Sequence, residues 1–461
     1  MNEDNQMNTS AVKHNRIYAV PRLLAEPHHS YHRLKVTHFC GTLEPHKDGV
    51  TRVLGEIHRF ALRYGAPTQF VTAVGDAALG KRCIEVPGID VPAYDGYKLS
   101  IALPCAIGKH ILHNDCVPSL LHAHSPCTLG LAAQRLARLW NIPLVATYHT
   151  HFPSYLKHHG FEVLEPTLRR YQQYFYNSCH TVLVPSKTLY AELAADGIER
   201  LEYLPHGVDS EQFHPRFRSE AWRQAVLGET MQHGKIVLYV GRLVWEKNLR
   251  VFVEAVKPLL ENRDDVAVAI VGTGPIESEL RRLLPKARFL GFQTGTALSE
   301  SYASSDVFFF PSDTETFGNV TLEALSSGLP CVVANAGGSA DLVQHGINGY
   351  VLPMLHDEHS IRCIQNVLST LLDDAAQRQQ MAHAALLSAK HYQWDAIISR
   401  LYGIYERVLE EHAVQRRVLE QSSSTRDSRT IARRIKVPLK MALQSGFTSL
   451  RSALQRSYRS S

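Results

Sequence analysis

At 461 residues, 44% hydrophobic and 20% charged, the chain is too apolar and too weakly charged to be disordered as a whole, and it is long enough for two or three domains. The formal charge is only +5, from 49 Lys and Arg against 44 Asp and Glu, too small an excess to argue for a nucleic-acid partner. Eight scattered cysteines contain no CxxC pair, so neither a disulfide framework nor a zinc ribbon is written in the sequence, and reduced thiols in a cytosolic protein are expected.

The first twenty residues lack the apolar core of a secretory signal. The strongest apolar run, 307–310, has the length of a strand, far short of the roughly 18 to 20 residues of a membrane span. In chain order, strands are expected at 34–39, 69–74, 119–124, 144–148, 181–185 and 201–204, with helical patterns at 50–64, 129–140, 166–177 and 188–196 between them. After a polar stretch at 210–233 the alternation restarts, with strands at 236–240, 266–271, 287–290, 307–310 and 331–334, each followed by a helical segment. Two such runs predict an α/β protein with two doubly wound, Rossmann-like domains, whose ligands bind where the carboxyl ends of the strands face a cleft. Residues 360–412 read as three helical pieces broken near Asp373 and His391, and 421–424 as a linker.

Three motifs mislead. Gly75 to Arg82 matches a phosphate-binding loop except that Arg82 stands where Ser or Thr would hold magnesium, and no helical pattern follows. Gly272-Thr273-Gly274 follows a strand, but the third glycine of a dinucleotide fingerprint is replaced by Glu277, so a tight turn lining the cleft is the expectation. The pairs His122/His124 and His149/His151 could chelate zinc from one face of a strand. No carboxylate or cysteine at ligand spacing accompanies either pair, and no Asp-x-Asp occurs, so no metal and no resident cofactor are expected.

The densest signal is Asp306 to Leu342. A buried strand ends at Pro311-Ser312, and a polar loop carrying Glu315 leads into a helix that starts near Gly318 and contains Glu323. Free N–H groups and the positive end of the helix dipole at Gly318 suit an anion. A carboxylate before that point and another two turns beyond it could reach opposite ends of an elongated ligand.

The run Glu315-Thr316-Phe317-Gly318-Asn319-Val320-Thr321-Leu322-Glu323 resembles the E-x7-E motif of retaining glycosyltransferases of family 4, which have the GT-B fold. Gly241-Arg242-Leu243-Val244-Trp245-Glu246-Lys247 resembles that family's G-R-x4-K segment, and His149 its active-site histidine at a strand end. Lys47-Asp48-Gly49-Val50 resembles its glycine loop, with one glycine where many members have two, and His151 lies in the same stretch as His149. The resemblance covers about residues 34–412 and implies a hexosyltransferase that uses a nucleotide diphosphate sugar (GDP-mannose or a UDP-hexose) and a glycan or lipid-linked acceptor, without metal. It implies Arg242, Lys247 and the Gly318 and Asn319 amides at the diphosphate, with Gly49, Gly241, Phe317 and Val320 lining that site. Glu315 and His149 would meet the sugar or acceptor, and Glu323 the ribose. A scaffold that binds a sugar nucleotide or glycan without transfer is the alternative.

The implied organisation is an N-terminal extension at 1–33, an acceptor-side domain at 34–209 and a nucleotide-sugar domain at 210–390. A helix at 391–412 would cross back to the first domain, followed by a linker and basic tail at 413–461. Residues 424–461 carry nine Arg and Lys against Asp427 alone, which leaves the rest of the chain at −3. Leu443, Phe447, Leu450, Leu454 and Tyr458 recur at helical spacing, so a helix lying on an anionic membrane and an unstructured basic tail both fit. The expected location is the cytoplasm, with the tail offered to the inner face of the plasma membrane.

Overall fold

The computed structural model describes residues 31–43, 49–90, 98–113, 117–149, 165–229, 231 and 233–424. Lys47, Asp48, His151, the acceptor-side loop at 151–160, most of the N-terminal extension and the basic tail from 425 lie outside them.

The first sheet contains β1 (Val36–Phe39), β2 (Thr68–Thr72), β3 (Cys83–Glu85), β6 (Leu120–Ala123), β7 (Leu144–Thr147), β8 (Thr181–Val184) and β9 (Leu201–Tyr203). Its order is β3-β2-β1-β6-β7-β8-β9 and every pairing is parallel. A small antiparallel pair, β4 (Gly88–Asp90) and β5 (Lys98–Ser100), stands apart from it. The second sheet contains β10 (Lys235–Val240), β11 (Val266–Val271), β12 (Arg288–Gly291), β13 (Val307–Phe310), β14 (Cys331–Ala334) and β15 (Gly349–Leu352), in the order β12-β11-β10-β13-β14-β15 and again parallel.

Unbroken apolar runs such as VAVAIV in β11 and VFFF in β13 make these strands, because a parallel sheet covered by helices is buried on both faces. The covering helices are amphipathic. Helix Gly49–Arg63 buries Val53, Leu54, Ile57 and Phe60, and helix Leu249–Asn262 buries Val251, Phe252, Val256 and Leu259. Apolar side chains gather into separate cores, one around the central strands of the first sheet and another around those of the second. In each sheet the strand order reverses once, between β1 and β6 and between β10 and β13, and these two switch points place the residues discussed below.

Helices Glu358–Asp373 and Ala375–Ala389 belong to the second core. The helix that follows, Trp394–Ser424, turns its first three turns to the first domain. Its Ser399 hydroxyl lies 3.1 Å from that of Tyr31, and its Tyr402 hydroxyl 3.2 Å from that of Thr68.

Four details depart from the expectations. Residues 421–424, read as a linker, continue this last helix, whose surface pairs Arg407 with Glu411 and Arg416 with Glu420 at the helical i, i+4 spacing. The polar stretch 210–233 contains helix Glu220–Leu227, started by a Ser219 side-chain cap. Strands β3 and β15 are too short and mixed to stand out from their loops. The glycines of 272–274 make a backbone contact rather than a ligand turn alone: Gly272 has φ +133°, and a Cβ there would sit 1.9 Å from the Gly241 carbonyl oxygen. The loops after β10 and β11 therefore touch main chain to main chain, which fixes the segment holding Arg242.

Helix Glu220–Leu227 is fastened to the second sheet by one buried ion pair. Arg223 lies 2.9 Å from Asp306 and also donates to the carbonyls of Ser304 (2.6 Å) and Gly234 (2.7 Å), while Asp306 accepts the Ile236 amide at 2.8 Å. Arg223→Met leaves Asp306 as an uncompensated buried charge, and it is expected to lower unfolding stability by about 3 to 5 kcal/mol. Urea titration of the two proteins measures this, and a loss below about 1 kcal/mol would show that the pair is not the fastening.

Candidate active site

The loop after β13 and the helix Asn319–Ser326 form the centre of the site. Gly318 caps that helix in the left-handed region at φ +95°, and a Cβ there would fall 2.5 Å from the Ser339 hydroxyl, so the turn admits glycine and little else. The amides of the first helical turn are thereby left uncovered by any side-chain cap, the arrangement that receives anions. Phe317 is buried beneath this turn, and Val320 is partly buried against the second core.

The two glutamates are held by different cations. Glu315 accepts from Lys247 Nζ at 2.7 Å and from the Ser312 hydroxyl at 3.0 Å, and both ends of the ion pair are about one-fifth exposed. Lys247 ends the short turn Trp245–Lys247 after β10; Gly241 and exposed Arg242 begin the same loop. Glu323 is far more enclosed, its side chain 4% exposed, and is held by the Tyr302 hydroxyl at 2.8 Å and by the guanidinium of Arg52. Glu323 in turn raises the Arg52 pKa, its charge outweighing the opposing effect of burial.

Arg52 comes from the first domain, one turn into helix Gly49–Arg63. The start of that helix approaches the second domain closely: Asn319 Nδ2 lies 2.9 Å from where a side chain on Gly49 would begin. His206, just past β9, donates through Nδ1 to Asn319 Oδ1 at 3.0 Å, and its ring centroid is 4.8 Å from that of Phe317. A second clasp joins Thr188 to Asp341, amide to carboxylate at 2.9 Å and hydroxyl to carboxylate at 3.0 Å.

His149 ends the first-domain wall. It is 7% exposed, and its Nε2 lies 3.0 Å from His124 Nδ1. The structure thus brings Lys247, Glu315, Phe317, Gly318, Asn319, Val320 and Glu323 together at one loop and the helix it starts, with Gly241 and Arg242 opening the loop that carries Lys247, Gly49 facing Asn319, and His149 linked to the site through the His206 ring, 5.9 Å away. Arg52, His206 and Tyr302 were missed in the sequence. Arg52 looks there like any charge on an amphipathic helix, and His206 like a loop residue at a domain boundary, because their partners lie 271 and 113 residues away.

Among the described residues, His38, His122 and His124 form a buried trio whose ring nitrogens lie within 4.8 Å of one another. Protein groups already use most of these nitrogens. His122 has Tyr405 Oη at 2.6 Å on Nδ1 and Thr147 Oγ1 at 2.7 Å on Nε2, and His38 Nδ1 is 2.9 Å from His124 Nε2.

Burial keeps these rings neutral. It lowers the pKa of His38 and of His149 to about 3 and that of His206 to about 4. His122 and His124 fall well below their ordinary value through burial and, secondarily, through neighbouring histidines: His38 and His149 for both, and His122 for His124. An unfolded histidine protonates near pH 6.5, so below that pH the unfolded chain binds protons that the folded chain refuses. The histidines' contribution is therefore complete above about pH 6.5 and is lost as the pH falls toward 3 to 4, by about 1.4 kcal/mol per pH unit for each ring at most. Urea midpoints at pH 7.5, 6 and 5 are expected to fall steeply over the lower interval. Equal midpoints at all three would contradict the burial of neutral rings.

Two family descriptions match the chain: Glycosyltransferase Family 4 over residues 47–212 and Glycosyl transferases group 1 over residues 234–370. A GDP-mannose-dependent alpha-mannosyltransferase of Corynebacterium glutamicum is 32% identical over 331 residues, covering 72% of this chain and 77% of the relative. The sulfoquinovosyl transferase SQD2 of Arabidopsis thaliana is 34% identical over 330 residues, 70% of this chain, but the match spans only 62% of the plant protein's length. Among solved structures, Anabaena HepE in complex with UDP and glucose superposes with a TM-score of 0.64 at 18% identity, covering 81% of this chain and all of that one. The lipopolysaccharide glycosyltransferase WaaG gives 0.60 at 18% identity over 80% and 99%. These neighbours share the GT-B architecture of two facing doubly wound sheets. With both halves matched and a relative of 32% identity covered over 77% of its length, the chain belongs to glycosyltransferase family 4.

Proposed function

We propose that the protein transfers a hexose from a nucleotide diphosphate sugar to a hydroxyl of a glycan or lipid-linked acceptor, with retention at the anomeric carbon and without a metal. The observation that carries this reading is the pair of glutamates on either side of one uncapped helix N-terminus, with Lys247 and Arg52 beside them. The diphosphate would rest on the Gly318 and Asn319 amides, flanked by Arg242 and Lys247. Charge-assisted hydrogen bonds there stabilise the negative charge that grows on the leaving phosphate, which is the part of the reaction a metal would otherwise serve. Glu323 would take the ribose hydroxyls, exchanging its bond to Arg52 for them, and Glu315 the hydroxyls of the transferred sugar.

In this mechanism the bond from the anomeric carbon to the β-phosphate oxygen breaks on the same face on which the bond to the acceptor oxygen forms, through an oxocarbenium-like state. The acceptor proton passes to the departing phosphate oxygen, so no carboxylate needs to act as nucleophile. GDP-mannose is the proposed donor, supported by the name of the Corynebacterium relative and of a Mycobacterium tuberculosis relative 33% identical over 292 residues. A cytoplasmic location with the basic tail on an anionic membrane remains part of the proposal. It is compatible with the finding that no helix among the described residues is long and apolar enough to cross a membrane.

Turnover of GDP-mannose is expected to survive EDTA and to yield the α-anomer, both read by NMR of the product; strict dependence on Mg or Mn, or an inverted product, would sink the mechanism. Lys247→Met should lower kcat/KM by about 10² to 10³, as loss of one preorganised donor to developing charge does. GDP should displace labelled donor at lower concentration than UDP, and the opposite order would move the donor to a UDP-hexose.

A further inference from the structure

β1, β6 and β7 are neighbours at the middle of the first sheet, and histidines stand at their carboxyl ends. His38 of β1 pairs in register with His122 of β6, His124 follows β6, and His149 follows β7. Three of these rings form a line. His38 Nδ1 is 2.9 Å from His124 Nε2, and His124 Nδ1 is 3.0 Å from His149 Nε2. In both pairs the ring planes are near parallel, 28° and 20° apart, and the centroids are separated by 5.2 Å, the spacing of rings joined edge to edge. The two end nitrogens, His38 Nε2 and His149 Nδ1, are buried and have no hydrogen-bond partner among the described residues.

A neutral imidazole carries one proton, on one nitrogen or the other. With burial keeping all three rings neutral, both hydrogen bonds can form only if every ring is protonated the same way round. Either each carries its proton on Nδ1, or each carries it on Nε2. Any mixture points two N–H groups, or two lone pairs, at each other across 3 Å. The three tautomers are therefore one variable with two values.

The two values differ at the ends of the line. With the protons on Nε2, an N–H of His38 is stranded in the core, where the described residues offer it no acceptor. With the protons on Nδ1, the core end keeps only an unused lone pair, and the unpaired N–H is that of His149, at the wall of the site. Each arrangement thus leaves one N–H without an acceptor among the described residues, a costly defect, and only the one at His149 stands at the wall of the site, where an ordered water or, later, a ligand hydroxyl can take it.

We propose that His38 and His124 are positioning residues that lock His149 in the Nδ1–H tautomer, making it an obligate hydrogen-bond donor to a hydroxyl of the bound sugar or acceptor. The identity of that hydroxyl rests on the glycosyl-transfer reading above; the lock does not. His122 supplies an internal control. Its ring is 4.0 Å from that of His124, but its two partners are the hydroxyls of Tyr405 and Thr147, which can donate or accept and so impose no tautomer.

The test uses the full-length protein labelled with ¹⁵N in histidine. Two-bond proton–nitrogen correlation spectra, which separate protonated from bare ring nitrogens, are recorded without sugar nucleotide. The wild type should show His38, His124 and His149 all protonated on Nδ1; a His149 protonated on Nε2, or a mixture, overturns the proposal without recourse to any variant. His124→Phe cuts the line and should return His149 toward the Nε2–H form that an unconstrained histidine side chain prefers, with kcat/KM lowered about tenfold, the scale of one neutral hydrogen bond. His122→Asn should leave the His149 tautomer as it was, and an equal change in both variants would assign the effect to packing and reject the relay. If the wild type shows the Nδ1–H line but no donor is turned over, the lock stands and the transferase reading falls.

Discussion

A carboxylate that is almost fully enclosed has to be compensated, and in this protein the compensation for Glu323 comes from the other domain. The Tyr302 hydroxyl covers one oxygen of Glu323 from within the second domain, and Arg52 covers the other from the first. That single pairing draws the start of helix Gly49–Arg63 onto the helix that begins at Asn319, leaving no space for a side chain at position 49. The contacts of His206 with Asn319 and of Thr188 with Asp341 join the same two domains at separate points, so the orientation of the first-domain wall is set several times over.

Parallel topology explains why these residues meet. In each sheet the strand order reverses once, and the loops leaving the strands on either side of that reversal diverge and open a crevice. β1 and β6 supply His38, His122 and His124, while β10 and β13 supply Arg242, Lys247 and Glu315. The main-chain contact of Gly272 with Gly241 removes freedom from the second crevice. A loop braced by its neighbour's backbone holds a cation in place without ordering it anew for each ligand.

Strand and helix positions were legible in the sequence because burial on both faces writes uninterrupted apolar runs, as in β10, β11 and β13, and because the helix stripes repeat at 3.6 residues. β3 and β15 were not, since Cys83–Glu85 and Gly349–Leu352 offer too few residues for a pattern. The last helix outran its expected end because alternating charges can carry an exposed helix where an apolar stripe fades. Of the site, the E-x7-E run was readable as a local motif: its spacing is imposed by one strand, one loop and one helix start. Arg52 and Tyr302 were not readable, because what distinguishes them is a contact with Glu323 that only the tertiary fold creates.

The two walls of the crevice differ in electrostatic character in a way that matches two kinds of ligand group. Cations collect on and around the second domain, where Arg242 and Lys247 follow β10 and Arg52 reaches across, which suits the diphosphate of the proposed donor. The first-domain wall is built instead from neutral imidazoles, kept so by burial. A charged histidine there would suffer the full cost of desolvation, whereas a neutral one can address an uncharged hydroxyl at little cost. Neutral rings, unlike guanidinium groups, can still choose between donor and acceptor roles. A wall made of them needs some further device to present one role consistently, and a line of rings hydrogen-bonded to one another from the core outward provides it.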